Sequence, residues 1–255
     1  MKNPEILYED EAIIVCVKPD GMPAQSDRSM SQDMVSFLKT HLVEQGVKGE
    51  PYIAIVHRLD RPVGGVMVFA KTKEAAADLS RQVQEKSMAK YYQAVLNGRL
   101  PDFEGTFDDY LIKDSKTNLS RVCEEGTEGA KEAVLHYEVL DELETDQGIY
   151  TYALIELETG RHHQIRCQMA HHKVPIYGDT KYNPKYQKDT RKQAANSKQA
   201  GKGKPANKTN KEKAPGQIAL IATRLEFEHP VTKEHMVFKT EPWGKAFEIL
   251  DAEEF

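Results

Sequence analysis

Residues 53–72 read IAIVHRLDRPVGGVMVFAKT. Four apolar residues, Ile53 to Val56, run into His57, Arg58, Leu59 and Asp60; Pro62 and the pair Gly64–Gly65 follow, and a β-rich run resumes through Lys71. The pattern is a strand, a tight loop and a second strand. Pro62 restricts Arg61 to extended geometry, and the glycines permit close approach of backbone or ligand. The loop therefore presents Asp60 rather than burying it. Taken alone, such an aspartate reads as a turn residue in a surface ion pair with Arg58 or Arg61.

The neighbouring stretches extend the β pattern. ILYEDEAIIVCVKPDG (6–21) predicts a hairpin that turns at Glu9-Asp10-Glu11 and stops at Pro19 and Gly21. Ser31 is placed to cap a helix striped by Met34, Leu38 and Leu42. Thr72 is placed to cap a helix over 73–86 with Ala76, Leu79 and Val83 on one face. Strands are expected at 91–96, ended by Asn97-Gly98, and near 106–112, 131–140 and 150–158. A helix should start just after Gly160 and run towards His172, and a hairpin should pair 217–227 with 235–240. No repeat of fixed period is present. Strands joined by short turns, with few helices, predict an α+β fold: a central mixed, mainly antiparallel sheet with flanking helices, in one domain over 1–255.

Composition bounds the partners. The 255 residues are 39% hydrophobic, and no apolar run approaches the ~18 residues of a membrane span. The N-terminus meets acids before any long apolar region, against a signal peptide. Cys16, Cys123 and Cys167 are isolated and read as reduced thiols of a cytoplasmic protein. The net charge of −5 is unevenly spread: residues 185–213 hold ten basic and two acidic residues, leaving 25 basic and 38 acidic elsewhere. The segment 185–215 has almost no aliphatic side chain larger than Ala, so it is expected to be a disordered basic insertion. It reads either as a tether for a polyanion or as an inert solvated loop.

Three more stretches carry chemistry. KYYQAVLNG (90–98) puts two tyrosines at the start of a strand. LETGRHHQIRCQMA (157–170) places a strand end, a glycine and a helix start in sequence, with Arg161, His163 and Arg166 crowded there. LIATRLEFEHPVTKE (220–234) is a hairpin with His229-Pro230 at its turn. His162, His163, His171 and His172 lack the spacing of a HExxH site, so no metal is expected.

Together these stretches resemble the RluA-type pseudouridine synthases of RNA, in order and over nearly the whole chain. The family's HRLD signature stands here as HRLD-RP-VGG, its Lys-x-Tyr strand as Lys90-Tyr91-Tyr92, and its TGRTHQIR stretch as TGRHHQIR. KVPIYGDTKY and LEFEHPVTKE match its last two segments. Val63 and Gly64 depart from the usual Thr and Ser, and Ile221 stands where many relatives have His. The small N-terminal RNA-binding domain of many relatives is not expected.

The resemblance implies the pseudouridine synthase fold with a catalytic cleft, and isomerisation of uridine to pseudouridine in structured RNA, rRNA or tRNA, by a monomer without cofactor or metal. It implies that Asp60 is the catalytic carboxylate, that Arg166 is its basic partner, and that Tyr92 stacks beneath the base and can assist proton removal. It also implies that Arg58 helps extrude the target base, with His57, Arg161, His163 and Gln164 shaping the substrate site. Whether the carboxylate attacks the sugar, takes its 2′ proton or adds to the base is left open. The rivals are a non-catalytic RNA-binding or ribosome-assembly protein on the same fold, and a glycoside hydrolase, for which no second carboxylate is recognisable.

Overall fold

The computed structural model describes residues 3–26, 32–186 and 216–251. Its strands are β1 (Glu5–Glu9), β2 (Ile13–Lys18), β3 (Ala54–Ile55), β4 (Gly64–Ala70), β5 (Ala89–Asn97) and β6 (Glu104–Asp114), then β7 (Leu119–Cys123), β8 (Lys131–Thr145), β9 (Gly148–Leu157), β10 (Leu220–Glu228) and β11 (His235–Lys239). The helices are α1 (Met34–Glu44), α2 (Lys73–Gln84) and α3 (Gln164–His171). All eleven strands join one sheet, in the order β1-β2-β4-β10-β5-β9-β8-β6-β7, with β11 on β10 and β3 on β4. The β10–β4 pair is parallel, whereas β10–β5, β5–β9 and β9–β8 are antiparallel. The expected mixed, mainly antiparallel α+β architecture is the one observed.

Period-2 alternation assigns the core. Ile14 and Cys16 of β2 and Met67 and Phe69 of β4 face one apolar cluster, under Met34, Leu38 and Leu42 of α1. Ile13, Val15, Val66 and Val68 face the other, under α2. Both faces of β2 and β4 are covered, so these strands read as unbroken apolar runs.

Several local expectations need correction. The cap of α1 is Asp33, whose carboxylate accepts from the Ser36 amide at 3.0 Å and from the Ser26 and Ser36 hydroxyls; Ser31 lies outside the described residues. Thr72 does cap α2, accepting from Ala75 N at 3.1 Å, but the buried stripe is Ala75, Leu79 and Gln82. Gln82 belongs there because its amide is bonded at both ends to the backbone of Glu228 in β10, at 2.8 and 2.9 Å. The strand before Asp60 is only Ala54–Ile55. β7 was not expected, because its flanks are polar and its run is short. Most of the basic stretch 185–215 lies outside the described residues, but Tyr186 belongs to the core: it is 6% exposed and meets Tyr177 edge-on at 5.7 Å.

The glycine pair has a measurable cause. A Cβ on Gly65, whose φ is +128°, would stand 2.2 Å from the Ala222 carbonyl oxygen, and one on Gly64 would stand 2.4 Å from the Trp243 ring. Only glycines let β4 pair with β10 directly after the Asp60 loop.

Candidate active site

The Asp60 loop is held from below. Lys18, at the end of β2 and fully buried, donates from Nζ to the carbonyls of Pro19, Met22 and Arg61 at 3.0, 2.7 and 3.2 Å. Burial depresses its ammonium to about 7, against the charges of Asp20 and Asp60. Gly21 N donates to Arg61 O at 2.8 Å, and Arg61 Nε returns a bond to Gly21 O at 3.0 Å. Val63 N closes the turn onto Asp60 O at 3.0 Å.

The carboxylate of Asp60 meets neither of its flanking arginines. Its ion pair is with Arg166, in the first turns of α3, whose Nη1 donates to Asp60 Oδ2 at 2.9 Å. The other side of the same guanidinium forks onto Asp179, with Nε and Nη2 each at 2.8 Å. Burial alone would discharge Arg166; Asp179 and then Asp60 instead hold its proton more tightly than usual. Among the described residues Asp60 Oδ1 has no hydrogen-bond partner, and the side chain is 24% exposed. One oxygen is anchored and the other opens into the cleft.

That cleft has a volume of about 970 Å³ and is lined by the 55–63 segment, by Lys90 and Tyr92 of β5, and by residues 160–166. Tyr92 lines it from β5, 7% exposed. Burial, with the charge of Asp60, pushes its phenol above the ordinary range, so it stays protonated. Tyr91 faces the other way, beneath the Arg224 guanidinium at 4.8 Å.

The β9–α3 corner supplies the opposite wall. His163 caps α3 in the left-handed region at φ 54°. Ser120 N donates to Tyr182 Oη at 2.7 Å, and Tyr182 Oη lies 2.8 Å from His163 Nδ1. The phenol, which accepts from the amide, retains a proton to share with Nδ1, and His163 Nε2 lies 3.6 Å from Asp60 Oδ2. Burial keeps His163 neutral, its pKa down at about 3. Gln164 is a clamp: its Oε1 accepts from Thr159 Oγ1 at 2.8 Å and Arg161 N at 2.9 Å, while Nε2 donates to Val134 O at 3.0 Å. Arg161 Nε donates to Glu132 O at 2.6 Å. His57 accepts the Val68 amide at Nε2, 3.1 Å, which orients the loop, and burial takes its pKa to about 3. Arg58 is exposed at the mouth of the cleft.

Sequence reasoning missed three contributors: Lys18, Asp179 and Tyr182. The last two sit in the quoted KVPIYGDTKY segment, where a GD pair followed by an aromatic was the available signal. Among the described residues no group of three or more His, Cys, Asp or Glu is placed to hold a metal ion, and no helix is long and apolar enough to cross a membrane.

The mixed sheet thus brings one arginine-held carboxylate, a buried tyrosine and several cations to a single cleft. Residues 12–171 match the model of the family described as RNA pseudouridylate synthase, and the chain belongs to that family. It is 35% identical over 240 residues to ribosomal large subunit pseudouridine synthase D of Neisseria meningitidis, covering 92% of this chain and 57% of that protein's length. It is 32% identical to the uncharacterized RNA pseudouridine synthase YlyB of Bacillus subtilis (92% and 68% covered). It is 29% identical to tRNA pseudouridine synthase C of Vibrio parahaemolyticus (98% and 96% covered). Among solved structures, human RNA pseudouridylate synthase domain containing 4 matches with a TM-score of 0.72 at 21% identity, over 97% of this chain and 92% of that one. That likeness shows the fold.

Proposed function

We propose that this chain isomerises uridine to pseudouridine within structured RNA, with Asp60 as the reacting carboxylate and Tyr92 as the platform under the base. The reaction breaks the N1–C1′ bond, turns the uracil, joins C5 to C1′, and moves the C5 proton to N1; nothing is oxidised or reduced. The observation that carries the reading is the state of Asp60. Arg166 fixes one oxygen at 2.9 Å, while the partly exposed carboxylate lines the cleft with its second oxygen unpartnered among the described residues, placed to serve a bound nucleotide as nucleophile or base. Tyr92, a protonated phenol, suits stacking and hydrogen-bond donation better than standing as a base.

A uridine inside a stem must leave its stack to reach Asp60. In this reading Arg58, exposed two residues before it and lining the cleft, fills the vacated space. Relatives named for the large ribosomal subunit and for tRNA support rRNA or tRNA as the substrate class of this reading, which takes the protein to act as a monomer in the cytoplasm. The test is a map of pseudouridines in total RNA from a deletion strain and its parent, repeated with the gene restored. One or more sites lost and regained supports the proposal; identical maps overturn it.

A further inference from the structure

Among the groups lining the cleft that the proposed reaction leaves unassigned is Lys90. It opens β5 on the same face as Tyr92, two residues on, and is only 7% exposed. Its side chain lines the cleft. Among the described residues its ammonium makes no hydrogen bond and no ion pair. Lys18 and Arg166, the other buried cations of the site, are satisfied by three carbonyls and by two carboxylates respectively. Lys90 is thus the exception: most of its side chain is buried, and its ammonium lines the cleft with no counter-ion among the described residues.

Its surroundings make the exception sharper. Burial, and then the charge of Arg161, depress the Lys90 ammonium. His57, whose charge would also act on Lys90, is held neutral by its own burial. Gly160 leaves space beside the ammonium: even a Cβ placed there would come only to 3.9 Å from Nζ. Arg161, next in sequence, is fixed through Nε to Glu132 O at 2.6 Å, which turns a guanidinium of set orientation to the same wall. Two cations lining one cleft, close enough for the charge of Arg161 to depress the Lys90 ammonium, suit a group with one negative charge and two acceptor oxygens.

We propose that Lys90 and Arg161 form a phosphodiester site that grips the RNA backbone beside the target nucleotide. The inference rests on the reading of this cleft as an RNA-modifying site and adds to it the anchor that sets the register of the strand over Asp60. A backbone contact of this kind adds affinity and position without reading bases. Lys90 faces the cleft from the strand that carries Tyr92, so a phosphate held there places the flanking nucleotide against the stacking platform.

The experiment compares wild type with Lys90→Met, which keeps the length of the side chain and removes its charge. The probe is a synthetic hairpin carrying a uridine that pseudouridine mapping assigns to this protein. It is used as such and as a set in which single phosphates around the uridine are replaced by uncharged methylphosphonates. The variant should bind more weakly at low salt, and its log–log salt slope should be shallower by about 0.7–0.9, the value for one lost phosphate contact. The loss should fall on KM rather than on kcat. One methylphosphonate position should weaken wild type and leave the variant no weaker than it already is. The Tm of the free variant should be unchanged or higher, because a buried unpaired charge has gone. An unchanged affinity and slope would overturn the site. So would a methylphosphonate penalty that is the same in both proteins at every position, or a fall in Tm, which would make Lys90 a structural residue. If no uridine is assigned by mapping, the reading of the cleft itself fails and the site falls with it; that outcome is seen with wild type alone.

Discussion

Asp60 and Asp179 bind the same guanidinium from its two sides, yet their settings differ. Asp179 is fully buried and takes two bonds from Arg166 and two backbone amides, Lys181 N at 2.8 Å and Tyr182 N at 3.2 Å. Asp60 is 24% exposed, takes one bond from Arg166, and keeps an oxygen open to the cleft. The 178–182 turn with the β9–α3 corner is a saturated polar network; the 57–64 loop is an ordered backbone that presents an unsaturated side chain. The difference teaches how this fold keeps a partly exposed carboxylate in place: the buried acid fixes the cation, and the cation fixes the exposed acid.

The largest effect that can break this contrast is on stability. Arg166→Met leaves Asp179 buried without a counter-ion and should cost about 3–5 kcal/mol, whereas Asp60→Asn, at a partly solvated pair, should cost no more than about 1 kcal/mol. Urea unfolding of both variants reads the difference, and equal losses would erase the distinction between the two acids.

Function should separate along the same line. Arg166→Lys keeps the charge but cannot fork onto Asp179 while reaching Asp60. A misplaced Asp60 should lower kcat on the order of 100-fold, with RNA affinity much less affected. A variant that lost affinity and kept kcat would make Arg166 an RNA contact instead of a positioning residue.

A smaller effect concerns the loop itself. His57 is neutral in the fold down to about pH 3, while an unfolded histidine takes a proton near its ordinary value of 6.5. Between those values the unfolded chain binds more protons, so stability falls as the pH falls through that window. Glutamine can still accept the Val68 amide but does not titrate. His57→Gln should therefore flatten the acid-side stability curve by up to about 1.4 kcal/mol per pH unit. Parallel curves for the two proteins would show that His57 is protonated in the native loop.

How much of this was legible in the sequence follows the range of the interactions. β2 and β4 were readable because apolar runs and flanking turn residues are local, and Thr72 was readable as a cap for the same reason. Asp60, Tyr92 and Arg166 were identified by resemblance, at 32-residue and longer separations that no periodicity connects. Asp179 and Tyr182 were not, since a GD turn and a tyrosine acquire meaning only when α3 brings Arg166 over them. Lys18 looked like the polar end of a strand, and only the folded loop shows its three carbonyl acceptors. Gly64 and Gly65 looked like loop freedom, whereas their reason lies in Ala222 and Trp243, more than 150 residues away.

The central claim is that Asp60 performs the chemistry and the saturated network only holds it. The most direct measurement is pseudouridine formation by Asp60→Asn on RNA from the deletion strain, alongside its RNA affinity and unfolding midpoint. The amide is nearly isosteric but cannot act as an ionised nucleophile or base. The account predicts a folded protein that binds RNA close to wild-type affinity and forms no detectable pseudouridine. Turnover at the wild-type rate would contradict it.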